Sequence, residues 1–254
     1  MIPLDDRGLT LGDGLFETLL ARDGVLVDLA AHLDRLAAGC LVLGLAPPDR
    51  ARAEALMREA VVAHGVANGE AAVRLTLTAG SGGRGVDRPA APQGRLFATA
   101  ARFQKPSGPV RLLTSQVRRN DGSPVSRLKT LAYLDNVLAR REAQAAGADE
   151  ALMLNTRGEV ACASVANLFW IIDGRLHTPA GACGILAGVM RSRVIAAAAT
   201  LSLPVMEGHY APEALAAADA AFLTNSLIGL RAIRRIDDRS FEESAIVTRL
   251  AQAL

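Results

Sequence analysis

Only two of the 28 basic residues are lysine, Lys105 and Lys129; the rest are arginine. A GC-rich codon bias accounts for the arginines and sharpens the question of why any lysine remains. Arginine stays protonated in a protein, whereas a desolvated lysine can lose its proton and attack a carbonyl carbon to form an imine. Lys105 sits in FQKPSGP, which reads as a solvated linker. Lys129 sits in SRLKTLAYL, between a polar loop and an apolar stretch, and is the better nucleophile. A glycine-rich run, AGSGGRG, suggests a phosphate loop but lacks the Gly-Lys-Ser/Thr ending, follows a strand and leads into no helix. A flexible hairpin loop is the equal alternative. Cys40, Cys162 and Cys183 are odd in number and far apart, so no disulfide framework is expected. No Cys or His has zinc-ligand spacing, and no metal is expected.

The elements that must position these residues fall into two halves. RGLTLGDGLFETLLARDGVLVDL reads as a glycine-bearing loop and a hairpin. Asp28 is placed to cap a helix over LAAHLDRLAAGCLVLGL, and ARAEALMREAVVAHG reads as a second helix ending at Gly65. AAVRLTLTAG and GRLFATAARF alternate as strands. QKPSGP marks a linker, which gives an N-terminal domain over 1–104, a linker over 105–109 and a C-terminal domain over 110–254. The second half opens on the strand VRLLTSQV. A polar loop then leads to Lys129 at the start of a helix, TLAYLDNVLARREAQAAG. EALMLN, VACAS, NLFWIID, AAFLTNS and LRAIRRI read as strands, with a helix from about Val189 to Thr200 and another at the end. The expected class is α+β, with mostly antiparallel sheets and a cleft between two domains.

With 254 residues and 50% hydrophobic content, the chain can bury its cores without metal or disulfide. A net charge of +2, with scattered basic residues and few aromatics, gives no case for a nucleic-acid partner. The first residues lack a signal-peptide core, and no apolar run is long enough to span a bilayer, so a cytoplasmic protein without a membrane partner is expected.

Several blocks occur in one order across the chain: DRGLTLGDGLFET, HLDRL, AGSGGRG, RLKTLAYLDNVLARREA, ADEALMLNTRGEV, ANLFW, LHTP, LAGVMR and FLTNSL. Together they resemble the fold-type IV enzymes that use pyridoxal 5′-phosphate (PLP), a family with D-amino acid aminotransferase-like architecture. It includes aminodeoxychorismate lyases and branched-chain and D-amino acid aminotransferases. The resemblance spans nearly the whole chain, although the family's usual opening strand ahead of DDRG is lacking. It implies that Lys129 carries the cofactor and that Arg35 grips its phosphate, a planar guanidinium suiting that geometry. The amides of Val189 and Met190, at a helix start where an anion is favoured, match the phosphate-binding turn; the family often has threonine at Met190. Asn225 and Ser226 match the remaining phosphate-side pair. Tyr133 is a partner for the cofactor's phenolic oxygen, though its spacing from Lys129 differs from the aminotransferase pattern by one residue.

One departure concerns the pyridine nitrogen. The family usually places a glutamate five residues before the asparagine of ANLF, and counting back from Asn167 gives Cys162. Glu159 lies eight back and would need a three-residue shift, which along an alternating strand also changes its face. The position is therefore assigned to Cys162. A thiol holds the ring nitrogen's proton less firmly than a carboxylate, which favours elimination over transamination. AGSGGRG also looks like the GGRG loop of aminodeoxychorismate lyases, and Arg84, with Arg118 or Arg119, could pair with a dicarboxylate substrate. The expected activity is a lyase of that type, acting as a homodimer. The alternatives are an aminotransferase for branched-chain or D-amino acids and a PLP-binding relic without catalysis.

Overall fold

Strand β1 (Gly14–Arg22) alternates its side chains so that Leu15, Leu19 and Ala21 join the first hydrophobic core. The turn ahead of it, expected as a loop, is a short helix, α1 (Arg7–Leu11). Asp6 starts it by accepting from the Gly8 amide at 2.8 Å, and Gly12 stops it with φ of 67°. The hairpin partner is β2 (Val25–Leu26). Helix α2 (Leu29–Leu43) follows, but Asp28 has φ of 54° and its side chain makes no capping hydrogen bond, contrary to expectation. The effective cap lies at the next helix, α3 (Arg50–Ala63), where Asp49 accepts from the Arg52 amide at 2.7 Å. Strands β3 (Glu70–Thr78) and β4 (Arg95–Arg102) complete an antiparallel sheet in the order β2-β1-β3-β4.

The computed structural model describes residues 2–254, which divide into two units. The first holds residues 2–105 and Leu128–Ala132; the second holds Pro106–Arg127 and Tyr133–Leu254. This differs from an uninterrupted division at residues 105–109. The five residues around Lys129 belong with the first unit because their backbone pairs with β1. The Phe16 amide donates to the Lys129 carbonyl at 2.9 Å, and the Leu131 amide donates to the Gly14 carbonyl at 3.0 Å.

The second unit opens with β5 (Val110–Thr114) and reaches α4 (Leu134–Ala145) only after a 3₁₀ turn at Pro124–Arg127. Lys129 is therefore not at a helix start but five residues ahead of one. Strands β6 (Glu150–Leu154), β7 (Val160–Ala163), β8 (Asn167–Ile172) and β9 (Arg175–Pro179) follow. After helix α5 (Val189–Thr200) come β10 (Val205–Gly208), the short α6 (Glu213–Ala216), β11 (Ala220–Asn225), β12 (Gly229–Ile236), β13 (Arg239–Ser240) and α7 (Ala245–Gln252). Eight of these strands form one sheet in the order β10-β9-β8-β11-β12-β5-β6-β7, with β13 on β12. Most pairs are antiparallel, while β10-β9, β12-β5 and β5-β6 are parallel.

Both faces of this sheet are buried, which is why β8 and β11 read as continuous apolar runs rather than alternating ones. Leu168 and Trp170 join one core, whereas Phe169 and Ile171 join another with Val194 of α5 and Leu250 of α7. Phe169 stacks on Phe222 of β11 with ring centroids 5.2 Å apart. Burying each such ring contributes roughly 1.5–3 kcal/mol, which holds the strand ends around Asn167 and Asn225 in fixed register.

Candidate active site

β1 has two edges. β3 pairs with it along its whole length, and β2 covers only Ala21 and Arg22 of the other edge. The Lys129 segment pairs with the start of that second edge, from Gly14 to Phe16, with Leu15 bridged to Thr130. This fixes the lysine's backbone and brings its Nζ to 4.1 Å from the centroid of the Phe16 ring. The Arg74 guanidinium lies 3.7 Å from the same centroid.

The opposite face of β1 carries Glu17, which is buried with His32 of α2 beneath that helix. Arg35, one turn further along α2, donates from Nε and Nη2 to the two Glu17 oxygens at 2.8 and 2.6 Å. His32 lies with Nδ1 2.7 Å from Glu17 Oε2. A carboxylate only accepts, so Nδ1 carries the proton. Burial pushes the Glu17 carboxyl up, but the hydrogen bonds from Arg35 and then His32 outweigh it and hold the group below its ordinary value. Glu17 thereby fixes the plane of the Arg35 guanidinium. The sequence reading missed Glu17 and His32; a charged residue on the apolar side of an alternating strand was the available signal.

The glycine-rich loop is tied down by a buried arginine that the sequence reading also missed. Arg7 donates to the carbonyls of Asp87 at 2.8 Å and Val86 at 2.7 Å, and its Nε donates to Asp13 at 2.9 Å. Arg88 clamps Asp13 from the other side and reaches the Leu43 carbonyl. Arg88 above all, with Arg7, keeps the Asp13 carboxyl below its usual range. Arg84 at the tip of this loop is exposed and bridged to Asp87 through its backbone.

In the second unit, α5 begins at Val189 and Met190 after Gly188, with no side-chain cap on its first amides. Asn167 holds the approach to this helix through its Nδ2 donation to the Leu186 carbonyl at 2.9 Å. A Cβ on Gly188 would come within 2.1 Å of Asn167 Oδ1, so only glycine allows this packing. Asn225, at the end of β11, donates to the Val165 carbonyl at 3.1 Å and accepts from the Leu227 and Ile228 amides at 2.9 Å. Its side chain thus shapes the turn that carries half-buried Ser226. Thr224 Oγ1, just before it, is buried without a hydrogen-bond partner.

Cys162 lies on β7, buried, and clusters with Ala161, Cys183 and Ile185. Burial pushes its thiol up, more than Arg119 lowers it, so the group is neutral at physiological pH. The ladder with β6 shifts here: Leu154 faces Val160, while Met153 faces Cys162. Ala161 is the extra residue of a β-bulge, and bulges re-aim side chains. Simple alternation therefore fails as the reason for separating Glu159 from Cys162. The partners of Glu159 separate them instead. Its carboxylate is held by Arg157 at 2.8 Å, Asn155 at 2.8 Å and His209 at 3.0 Å, which lower it to about 2.

The remaining candidates are dispersed. Tyr133 is half-buried at the start of α4, and Arg118 is exposed. Arg119 commits its guanidinium to the Gly184 carbonyl, the Asn136 side chain and the Ser126 carbonyl. It is a brace within the second unit, which weakens the expectation that it meets substrate.

Two α+β units of this topology are those of the fold-type IV pyridoxal-phosphate enzymes. The chain belongs to the amino-transferase class IV family, whose family model matches residues 14–236. It is 33% identical over 92% of its length to a Methanocaldococcus jannaschii protein provisionally named a branched-chain-amino-acid aminotransferase, covering 82% of that relative. It is 28% identical over 93% of its length to the aminodeoxychorismate lyase of Bacillus subtilis, again covering 82%. The crystal structure of 4-amino-4-deoxychorismate lyase from Pseudomonas aeruginosa superposes with a TM-score of 0.87 at 32% identity, over 99% of this chain and 93% of that one. The protein is a PLP-dependent enzyme of the lyase or aminotransferase kind. Among the described residues, no helix is long and apolar enough to cross a membrane.

Proposed function

We propose that the protein is a 4-amino-4-deoxychorismate lyase, releasing pyruvate and forming p-aminobenzoate, a precursor used in folate synthesis. The observation that carries this reading is Cys162, a buried neutral thiol at the position we assign to the ring nitrogen, where an acid would serve transamination. Lyases among the relatives and solved structures support it.

The residues suit PLP at its phosphate and aldehyde ends. Within the second unit, the uncapped first amides of α5 and the orphaned Thr224 hydroxyl would serve as donors for a phosphate, and Ser226 is assigned to the same group; in the first unit, Arg35 is the residue we assign to it. Lys129 supplies the amine for the aldehyde. When bound, PLP draws electrons from the carbon beside the substrate amine and so acidifies its C–H. Lys129 would take that proton as general base and return it to the departing fragment. Phe16 beside Nζ gives the lysine an apolar wall. Cys162 offers the ring nitrogen a neutral partner, and loss of the leaving group with ring aromatisation drives the reaction forward. Arg84 is the arginine we assign to a substrate carboxylate, with Arg118 as a second candidate; Tyr133 is assigned to the phenolic oxygen. The exposed stripe of Leu134, Val137 and Leu138 on α4 supports association of two copies.

Simultaneous release of pyruvate and p-aminobenzoate from aminodeoxychorismate tests the reading. The aminotransferase alternative, favoured by the 33% identical relative, is tested by amino transfer to 2-oxoglutarate.

A further inference from the structure

Glu159, Cys183 and His209 are separated by 24 and 26 residues, so no compact spacing motif connects them. The fold of the second unit nevertheless brings them together. Glu159 ends the turn before β7, Cys183 closes the 3₁₀ turn Gly181–Cys183, and His209 follows β10. Their donor atoms lie within 4.8 Å of one another. Cys183 Sγ is 3.5 Å from His209 Nδ1 and 3.9 Å from Glu159 Oε2, and Nδ1 is 3.0 Å from that oxygen.

These edges can be compared with a zinc tetrahedron. Zn–S of about 2.3 Å and Zn–N and Zn–O of about 2.0 Å, at tetrahedral angles, give donor separations of about 3.3–3.6 Å. The observed separations bracket those values, so an ion would need shifts of only a few tenths of an ångström. We infer that Glu159, Cys183 and His209 form a binding site for a zinc-like divalent transition ion. The mixed sulfur, nitrogen and oxygen set selects such an ion over calcium or magnesium. Asn155, donating to Glu159 Oε2 at 2.8 Å, supplies the outer contact that orients the carboxylate. The site is independent of the reaction proposed above and does not involve the residues assigned to it.

Arg157 is the competitor. Its Nη2 lies 2.8 Å from Glu159 Oε2 and 3.4 Å from His209 Nδ1, so without the ion its charge occupies this place. The side chain is half-exposed and also paired with Asp121, so it can release Glu159 without being stranded. An ion here would staple three distant segments, one of which runs from Cys183 directly into the Gly188 turn ahead of α5.

The test uses PLP-loaded protein, freed of metal by chelator, titrated calorimetrically with Zn²⁺ and spectroscopically with Co²⁺. One ion per chain and the visible bands of tetrahedral cobalt are expected. Half-exposed His209→Ala should weaken Zn²⁺ binding on the order of a hundredfold without threatening the fold, and Cys183→Ser should remove the thiolate signature. Arg157→Ala should tighten binding, a response that a purely structural cluster would not give. Absence of saturable binding into the millimolar range would overturn the site. So would affinity unchanged by both His209→Ala and Cys183→Ser, and unchanged affinity in Arg157→Ala would overturn the competition.

Discussion

The Nζ of Lys129 lies 4.1 Å from the centre of the Phe16 ring, and the same two residues are joined by a backbone hydrogen bond of 2.9 Å. One strand edge therefore sets both the lysine's backbone and the surface its amine rests on. Replacing Phe16 with leucine keeps an apolar wall but removes the ring face. We expect Phe16→Leu to retain bound cofactor while lowering kcat severalfold, and Lys129→Ala to lose at least about 10²–10⁴-fold in rate together with the cofactor's lysine-linked absorbance. Steady-state kinetics and absorbance spectra check both.

Glu17 holds Arg35 and His32 from beneath α2, and removing it leaves a half-buried guanidinium and a buried imidazole without their carboxylate. Glu17→Ala should cost about 3–5 kcal/mol, measured by denaturant unfolding. The pH dependence has a definite sign. The folded carboxyl titrates below its ordinary value of 4.5, so its stabilisation is complete above that value and is lost as pH falls through the lower folded one. Asp13, held down chiefly by Arg88, acts in the same direction. Stability should fall on acidification below about pH 4.5, and less steeply in Glu17→Gln; an equal slope would remove Glu17 from the account.

Gly188 packs where a methyl group would strike Asn167. Gly188→Ala should displace that side chain from the Leu186 carbonyl and disturb the first turn of α5. The expected cost is about 1–3 kcal/mol, read as a five- to 150-fold loss of PLP affinity if the turn binds phosphate. Stability loss with unchanged PLP affinity would detach this turn from the cofactor.

Cys162→Glu restores an acid at the β7 position. If Cys162 faces the ring nitrogen, amino transfer from an amino-acid donor should rise on the order of tenfold, the factor that one unit of pKa represents, while elimination falls or stays level. No change in either half-reaction would show that the residue does not set the reaction's course.

Much of this was legible in the chain. Val189 opens α5 as its apolar spacing and preceding glycine predict, and β8 and β11 announce themselves as apolar runs. The small helix at Arg7 escaped because its start depends on Asp6, whose carboxylate also accepts from Thr78, 72 residues away. The residues just after Lys129, from Thr130 to Tyr133, read as the start of a helix because apolar neighbours suit either state, and only pairing with β1 holds the segment extended. The bulge at Ala161 defeated the alternation argument for Glu159, since one inserted residue resets the face of those before it. Long-range charge partners such as Arg7 with the carbonyls of residues 86 and 87 leave no local pattern.

The most direct test of the central claim is to mix purified, PLP-loaded protein with aminodeoxychorismate and follow pyruvate and p-aminobenzoate together, with Lys129→Ala alongside. The account predicts equimolar release of both by the wild type and neither by the variant. Intact substrate in the presence of a protein that still shows its lysine-bound cofactor would contradict it, and amino transfer to 2-oxoglutarate by that same protein would assign it to the aminotransferases.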